Sequence, residues 1–163
     1  MTTTRTRMRQ VMDWRASIQA GLIAGVVLLV IMMIGYPIAT GGSVWTVFRF
    51  IASLVLGREL LLSPDFSFGI VLLALILHMA LSVIYTWVLA FIIHRWGLIV
   101  GFVGGALFGL ALFAINFYTF TALFPWFTVV RSWQFAALHV IFGAVAGTVY
   151  ELLEDEIFVP DTD

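Results

Sequence analysis

Cysteine is absent from this sequence, and so is lysine. Without cysteine there are no disulfides, no thiolate metal sites and no iron–sulfur ligation. Without lysine, all eight basic residues are arginines, so every inference from positive charge rests on those eight positions. Charge of either sign is scarce. Only 10% of the residues are Asp, Glu, Lys or Arg, against about 25% in an ordinary soluble domain. The net charge of −1 offers no electrostatic footing for nucleic acid. Catalytic signatures are missing too. There is no HExxH metal spacing, no Ser–His–Asp set that could share one pocket, and no glycine loop opening a basic helix to hold phosphate. The expectation is a protein that is not an enzyme, with no metal site and no catalytic residues.

What the chain has in abundance is apolar surface. Of its 163 residues, 63% are hydrophobic and 15% aromatic. That is more than one soluble core could bury, so lipid is the expected solvent for most of the chain. A bilayer-spanning helix needs roughly 20 apolar residues. Stretches free of Asp, Glu, Lys and Arg meet that length at about 16–36, 69–93, 97–120 and 132–150. Pro37 and Pro125 fall at the ends of spans, where a helix is finishing anyway. The opening "MTTTRTRMRQVMDWR" reads as a charged arm and not as a secretory signal, because the apolar run after it is too long and no small-residue cleavage site closes it.

Arginine placement sets the expected orientation. Arg5, Arg7, Arg9, Arg15 and Arg95 belong to one side of the membrane, and Arg49, Arg58 and Arg131 to the other. Five against three places both termini in the cytoplasm. The acidic tail "ELLEDEIFVPDTD" then shares a side with the basic N-terminal arm, and either pairs with it or is solvated.

The long connection between the first two spans is patterned. Val44, Trp45, Phe48, Ile51, Ala52 and Val55 recur at helical spacing, while Thr46, Arg49, Ser53 and Gly57 take the opposite face. With Ser43 as N-cap and Gly57 as stop, an amphipathic helix over about 43–57 is expected in the outer interface. It serves either as a lid on the bundle or as a docking surface. The second outer loop, "TALFPWFTVVRSW", reads as an aromatic belt of Phe124, Trp126, Phe127 and Trp133 at headgroup depth. Trp45, Phe48, Phe124 and Trp126 are the docking candidates.

The two hairpins echo one another as a parallel repeat. Gly21-xxx-Gly25 opens the first span and Gly101-xxx-Gly105-xxx-Gly109 the third. His78-xxx-Ser82 lies on the second span and His139-xxx-Gly143-xxx-Gly147 on the fourth. Lipid tails are as apolar as leucine, so close backbone approach, which glycine permits, is what drives spans together. Gly21, Gly25, Ser82, Gly101, Gly105, Gly109, Gly143 and Gly147 are therefore the candidate helix-packing residues, with small or polar stripes facing inward.

His78 and His139 both fall about 10–14 Å below the outer ends of their spans. Matching depth on two helices would suit a bis-histidine haem b site, with Arg49 or Arg131 toward the propionates. It equally suits two neutral imidazoles bonded within the bundle, for which Ser82, Tyr85, Tyr36, Asn116 or a carbonyl are candidate partners. His94, beside Arg95 and Trp96, reads as an interfacial residue and nothing more. Ion-coupled transport is not expected, since no carboxylate lies within the spans and none is broken by proline mid-membrane.

The stretches "DWRASIQAGLIAG", "LGRELL", "INFYTFTALFPWF" and "HVIFGAVAG" resemble a family of small bacterial inner-membrane proteins, some of them labelled sodium:proline symporter. Symporters of that class are far longer and line a sodium site with broken helices. The resemblance therefore implies a four-span inner-membrane protein and supplies no catalytic residues.

The expected fold is all-α: four transmembrane helices in one membrane domain, with an outer interfacial helix. The leading functional expectation is a non-catalytic accessory subunit of a larger bacterial membrane complex, with a respiratory or other energy-converting complex as host. Its partners would be the lipid bilayer and other membrane-protein subunits. The alternatives are a haem b electron carrier using His78 and His139, and a small channel or carrier for a neutral solute.

Overall fold

The computed structural model describes residues 8–63 and 65–160. Arg5 and Arg7 lie outside the described residues, as does the last part of the acidic tail. Helix α1 runs from Trp14 to Thr40, α2 from Trp45 to Leu56, α3 from Phe68 to Ile93, α4 from Leu98 to Ala114 and α5 from Trp133 to Leu153. The protein is all-α, and four of these segments, α1, α3, α4 with its continuation to Ala122, and α5, are long and apolar enough to cross a membrane.

α1 begins where Asp13, in extended conformation, turns its carboxylate onto the helix start. Oδ1 accepts the N–H groups of Arg15 at 2.8 Å and Ala16 at 3.1 Å. A carboxylate here satisfies N–H groups that no helical carbonyl can reach and complements the positive end of the helix dipole. The same residue holds the other end of the chain. Its Oδ2 accepts the Asp155 N–H at 3.2 Å, and its own N–H donates to the Tyr150 hydroxyl at 3.3 Å. Beyond it the two terminal segments form a short antiparallel ladder, β1 (Met8–Val11) on β2 (Ile157–Pro160), with Arg9 opposite Val159. Within the described residues the arm and the tail thus pair through backbone bonds and not through charge. Among the described residues the one ion pair is Arg58 with its neighbour Glu59, both well exposed, where screening leaves such a pair little worth.

α1 continues past Pro37, which lies inside the helix, and ends at Gly41 in the left-handed region with φ 68°. The Gly41 N–H donates to the Pro37 carbonyl at 2.8 Å. α2 starts at Trp45, two residues after the expected cap Ser43, with Val44 in the N-cap position. Ser43 Oγ still accepts the Trp45 N–H at 3.3 Å, and Gly57, with φ 86°, ends the helix.

α1 is the central element, packed against both α3 and α5, while α5 pairs intimately with α4. The α1–α3 seam is small against small: a Cβ on Gly21 would meet Val83 Cα at 2.8 Å, and one on Gly25 would meet Ser82 Oγ at 2.7 Å. A parallel stripe of Ala16, Ala20 and Ala24 joins Leu89, Ala90 and Ile93 of α3 and Phe142, Ala146 and Tyr150 of α5 in the main core. The α4–α5 seam is closer still. A Cβ on Gly143 would fall on the Gly105 carbonyl oxygen, one on Gly147 on the Gly101 carbonyl, and one on Gly109 on the His139 carbonyl. The Cα hydrogens standing in those Cβ positions point at carbonyl oxygens, the geometry of weak Cα–H···O bonds between helices.

The third span departs from a plain α-helix. After Ala114 it widens into a π-helical turn, Ile115–Thr119, followed by a 3₁₀ turn, Phe120–Ala122. Thr121 Oγ donates to the Phe117 carbonyl at 3.2 Å across this region. π turns of this kind are common at functional sites.

Two outcomes are expected. Gly143→Ala places a methyl on a backbone carbonyl that no rotamer change can move, and should lower stability in detergent by about 1–3 kcal/mol. Gly35→Ala meets nothing within 4 Å and should be neutral or stabilise by about 0.5–1 kcal/mol. Thermal unfolding of both variants against the parent checks the contrast. Burial alone would raise the Asp13 carboxyl, but the N–H groups of Ala16, Asp155 and Arg15, with the Arg15 charge, outweigh it and hold the group below its ordinary 3.8. Its stabilising contribution is then present above the ordinary value and lost as pH falls through the lower folded value. Exchange protection of the Asp155 amide should therefore be flat between about pH 5 and 8 and collapse only in acid below about pH 4.

Candidate functional site

At the end of the bundle away from the termini, α3 separates from α4 and α5 and leaves a cavity of about 390 Å³. All five helices contribute to its wall. α1 supplies Leu28 and Met32, α2 supplies Ile51 and Leu54, and α4 supplies Leu112. The π turn adds Asn116 and Phe117. α3 brings His78, Ser82 and Tyr85, and α5 brings Phe135, His139 and Phe142. The two histidines singled out by the sequence thus share one chamber. No Asp, Glu, Lys or Arg is part of its lining.

Each imidazole is fixed by a backbone carbonyl. His78 Nε2 lies 2.9 Å from the Gly25 carbonyl across the α1–α3 seam, and His139 Nδ1 lies 2.8 Å from the Phe135 carbonyl one turn back. A carbonyl oxygen only accepts, so the facing nitrogen in each ring carries the hydrogen. Gly25 matters here because its lack of a side chain keeps the path from α3 to α1 open. The His139 ring stands edge-on to Phe113 and Phe117, at 5.8 and 5.5 Å between centroids. None of the side chains expected as histidine partners takes that role. Ser82 Oγ donates to the His78 backbone carbonyl at 2.8 Å, and the Tyr85 hydroxyl donates to Asn116 Oδ1 at 3.1 Å. Tyr36 packs with the second apolar cluster.

A bis-histidine haem does not match this donor set. His139 has Nε2 open and its Nδ1–H anchored, the usual arrangement of a ligating histidine. His78 has the opposite one, with Nε2 engaged by Gly25. The arginines expected near propionates are also engaged. Arg49 Nε and Nη2 donate to the Asp65 carbonyl at 3.0 and 2.6 Å, and Nη1 donates to the Leu60 carbonyl at 3.0 Å. Arg131 donates to Thr121 Oγ at 3.2 Å and lies 4.3 Å over the Tyr118 ring.

Arg49 and Ser53 require a correction to the expected α2 faces. Both are buried, Arg49 at 7% exposure, whereas Val55 is 61% exposed. The guanidinium replaces water for the carbonyls of the 57–67 connection and straps that loop to α2. Nothing in the α2 pattern distinguishes such an arginine from a solvated one. Phe48, a docking candidate, is 3% exposed and packs with Leu29, Val47, Ala52 and Ala74. Trp45 is half-buried against Phe48 and Phe66. Phe124 and Trp126 are also half-buried, part of an aromatic roof with Phe127 that is pinned where Trp126 Nε1 donates to Ser53 Oγ at 2.9 Å. Trp133 alone of the expected belt is largely exposed, at 76%. His94 is buried too: its Nδ1–H donates to the Phe91 carbonyl, and its Nε2 accepts from Arg95 Nε. It is a capping residue at the end of α3 and not a free interfacial ring.

The roof offers a test. Trp126→Phe leaves Ser53 Oγ satisfied through its 2.6 Å bond to the Phe50 carbonyl, and should cost about 1 kcal/mol. Ser53→Ala leaves the indole N–H unpaired and should cost more, about 1–3 kcal/mol. Thermal unfolding in one detergent ranks the two. The resemblance to small inner-membrane proteins rests on the quoted stretches alone, because no protein-family model matches the chain and no curated protein or solved structure is similar to it.

Proposed function

We propose that this is a non-catalytic, multi-pass protein of the bacterial inner membrane, both termini cytoplasmic, that binds a small neutral solute in the cavity beneath α2 and acts as its carrier. The observation that carries the reading is the chamber itself, with its apolar wall, few polar groups, and no ionisable acid or strong base. Ligand sites are typically of this kind: a concave, mostly apolar enclosure of about 300–1,000 Å³ with a few placed hydrogen-bonding groups. Along the α4–α5 seam, by contrast, the helices close to the point of backbone contact. A void of this size in a membrane bundle costs packing energy, and a ligand that fills it restores those contacts.

A second reading, an accessory subunit of a larger membrane complex, keeps some support from exposed apolar side chains near the loops. Leu62, Val129 and Trp133 are 81%, 75% and 76% exposed. It loses the support expected from the glycine faces. Gly21, Gly25, Gly101, Gly105, Gly109, Gly143 and Gly147 all meet this chain's own helices and are not free for a partner.

Native mass spectrometry of the full chain, extracted from its own membranes in mild detergent, separates the readings. The expected result is the chain plus an adduct of small, defined mass, lost in Leu138→Trp, which fills the chamber from its wall. A bare chain would overturn ligand binding, and defined foreign subunits without an adduct would establish the subunit role in its place.

A further inference from the structure

Resting on that reading, we infer that the ligand is a phenol: a neutral aromatic ring carrying a free O–H, the hydroquinones included. The inference follows from which hydrogen-bonding capacity the chamber still has free.

Its hydrogens are nearly all engaged. The Ser82 hydroxyl donates to the His78 carbonyl, the Tyr85 hydroxyl to Asn116 Oδ1, the His78 Nε2–H to Gly25 and the His139 Nδ1–H to Phe135. A neutral imidazole with one nitrogen protonated carries a lone pair on the other. His139 Nε2 and His78 Nδ1 are therefore acceptors, and neither has a partner among the described residues. Both rings line the chamber, and neither nitrogen is among the fully buried unpaired atoms, which are those of Thr86, Thr148 and Glu151. The one donor left on the wall is the Asn116 amide N–H₂. A chamber with two imidazole acceptors asks for a ligand that donates. Ketones, esters and ethers cannot meet those nitrogens, whereas an O–H can, and its oxygen can in turn accept from Asn116.

The remainder of the wall selects the body. Phe117, Phe120, Phe124, Phe127, Phe135 and Phe142 supply six aromatic rings. Ring faces and edges favour a planar aromatic guest in offset or edge-to-face contact. A charged head would enter without a counter-ion, which the lining excludes.

The test is equilibrium dialysis of 4-propylphenol, 4-propylanisole and 4-propylcyclohexanol against the full chain in nanodiscs, with empty nanodiscs of the same lipid subtracted. The phenol should be held roughly tenfold more tightly than the anisole, which differs only by a methyl on oxygen. That ratio should fall in His139→Leu, which keeps the α4–α5 backbone contact and removes one of the two acceptors, and approach about one when His78→Leu is added. Equal retention of phenol and anisole by the parent protein overturns the O–H requirement while leaving solute binding intact. Equal retention of phenol and cyclohexanol overturns the aromatic requirement. Retention of none above empty nanodiscs overturns the binding reading itself. The parent ratios decide the matter even if the variant fails to fold.

Discussion

Gly105 and Gly143 stand so close that neither has room for a side-chain carbon, and the shape of the bundle follows from that contact. In lipid, hydrophobicity does not draw helices together, so packing and weak polar contacts must. Three glycines on α4 facing two on α5 bring backbone against backbone over the whole seam. α5 in turn is held to α1 by the alanine stripe and by Tyr150, which is fully buried. α1 is fastened to α3 through Gly21 and Gly25. The order α4–α5–α1–α3 leaves α3 and α4 joined mainly by the tight turn at His94–Gly97, with sparse contact beyond it. The space between them at the far end is the chamber. It is a consequence of where the small residues lie, not a packing fault.

The same constraint explains the polar groups. With no water at membrane depth, each N–H and O–H must find an acceptor inside the protein. Backbone carbonyls of the helices are the nearest ones, and His78, His139, Ser82 and Thr121 all use them. On the chamber wall this leaves the second imidazole nitrogens and the Asn116 N–H₂ as the free functionality. Asn116 follows Leu112 at i+4 on the inward face of α4, and the π turn at Ile115–Thr119 begins there, with Asn116 and Phe117 both on the chamber wall.

Much of this was legible in the sequence because lipid and close packing leave blunt signals. Charge-free runs located the four spans to within a few residues at most ends. The glycine and small-residue spacing picked out the inward stripes on α1, α3, α4 and α5. Matching histidine depths brought His78 and His139 to one place. What was hidden depends on contacts between segments distant in the chain. Arg49 looks like a polar-face residue until the 57–67 loop folds over it and presents two carbonyls. Phe48 looks like a docking anchor until Ala52 and Ala74 let it sink against α1 and α3. The terminal ladder has no pattern signal, because MRQV and IFVP are short and their pairing is set by Asp13 and Tyr150 in the folded bundle. The carbonyl partners of the histidines were equally out of reach, since every residue has a carbonyl and composition does not rank them.

The two ends of the molecule are held by different means. The terminal end holds the alanine core, the capped start of α1 and the ladder, with Asp13 touching α1, α5 and the C-terminal extension at once. The loop end has the chamber, the π and 3₁₀ turns, an aromatic roof pinned to α2 by the Trp126 indole hydrogen bond, and the 57–67 loop strapped to α2 by Arg49. Regions with few buried apolar contacts and irregular backbone open at lower free energy than a packed core. The glycine seam runs from Gly101 and Gly147 at the terminal end to Gly109 and His139 beside the chamber, so α4 and α5 are held together along both halves of the bundle.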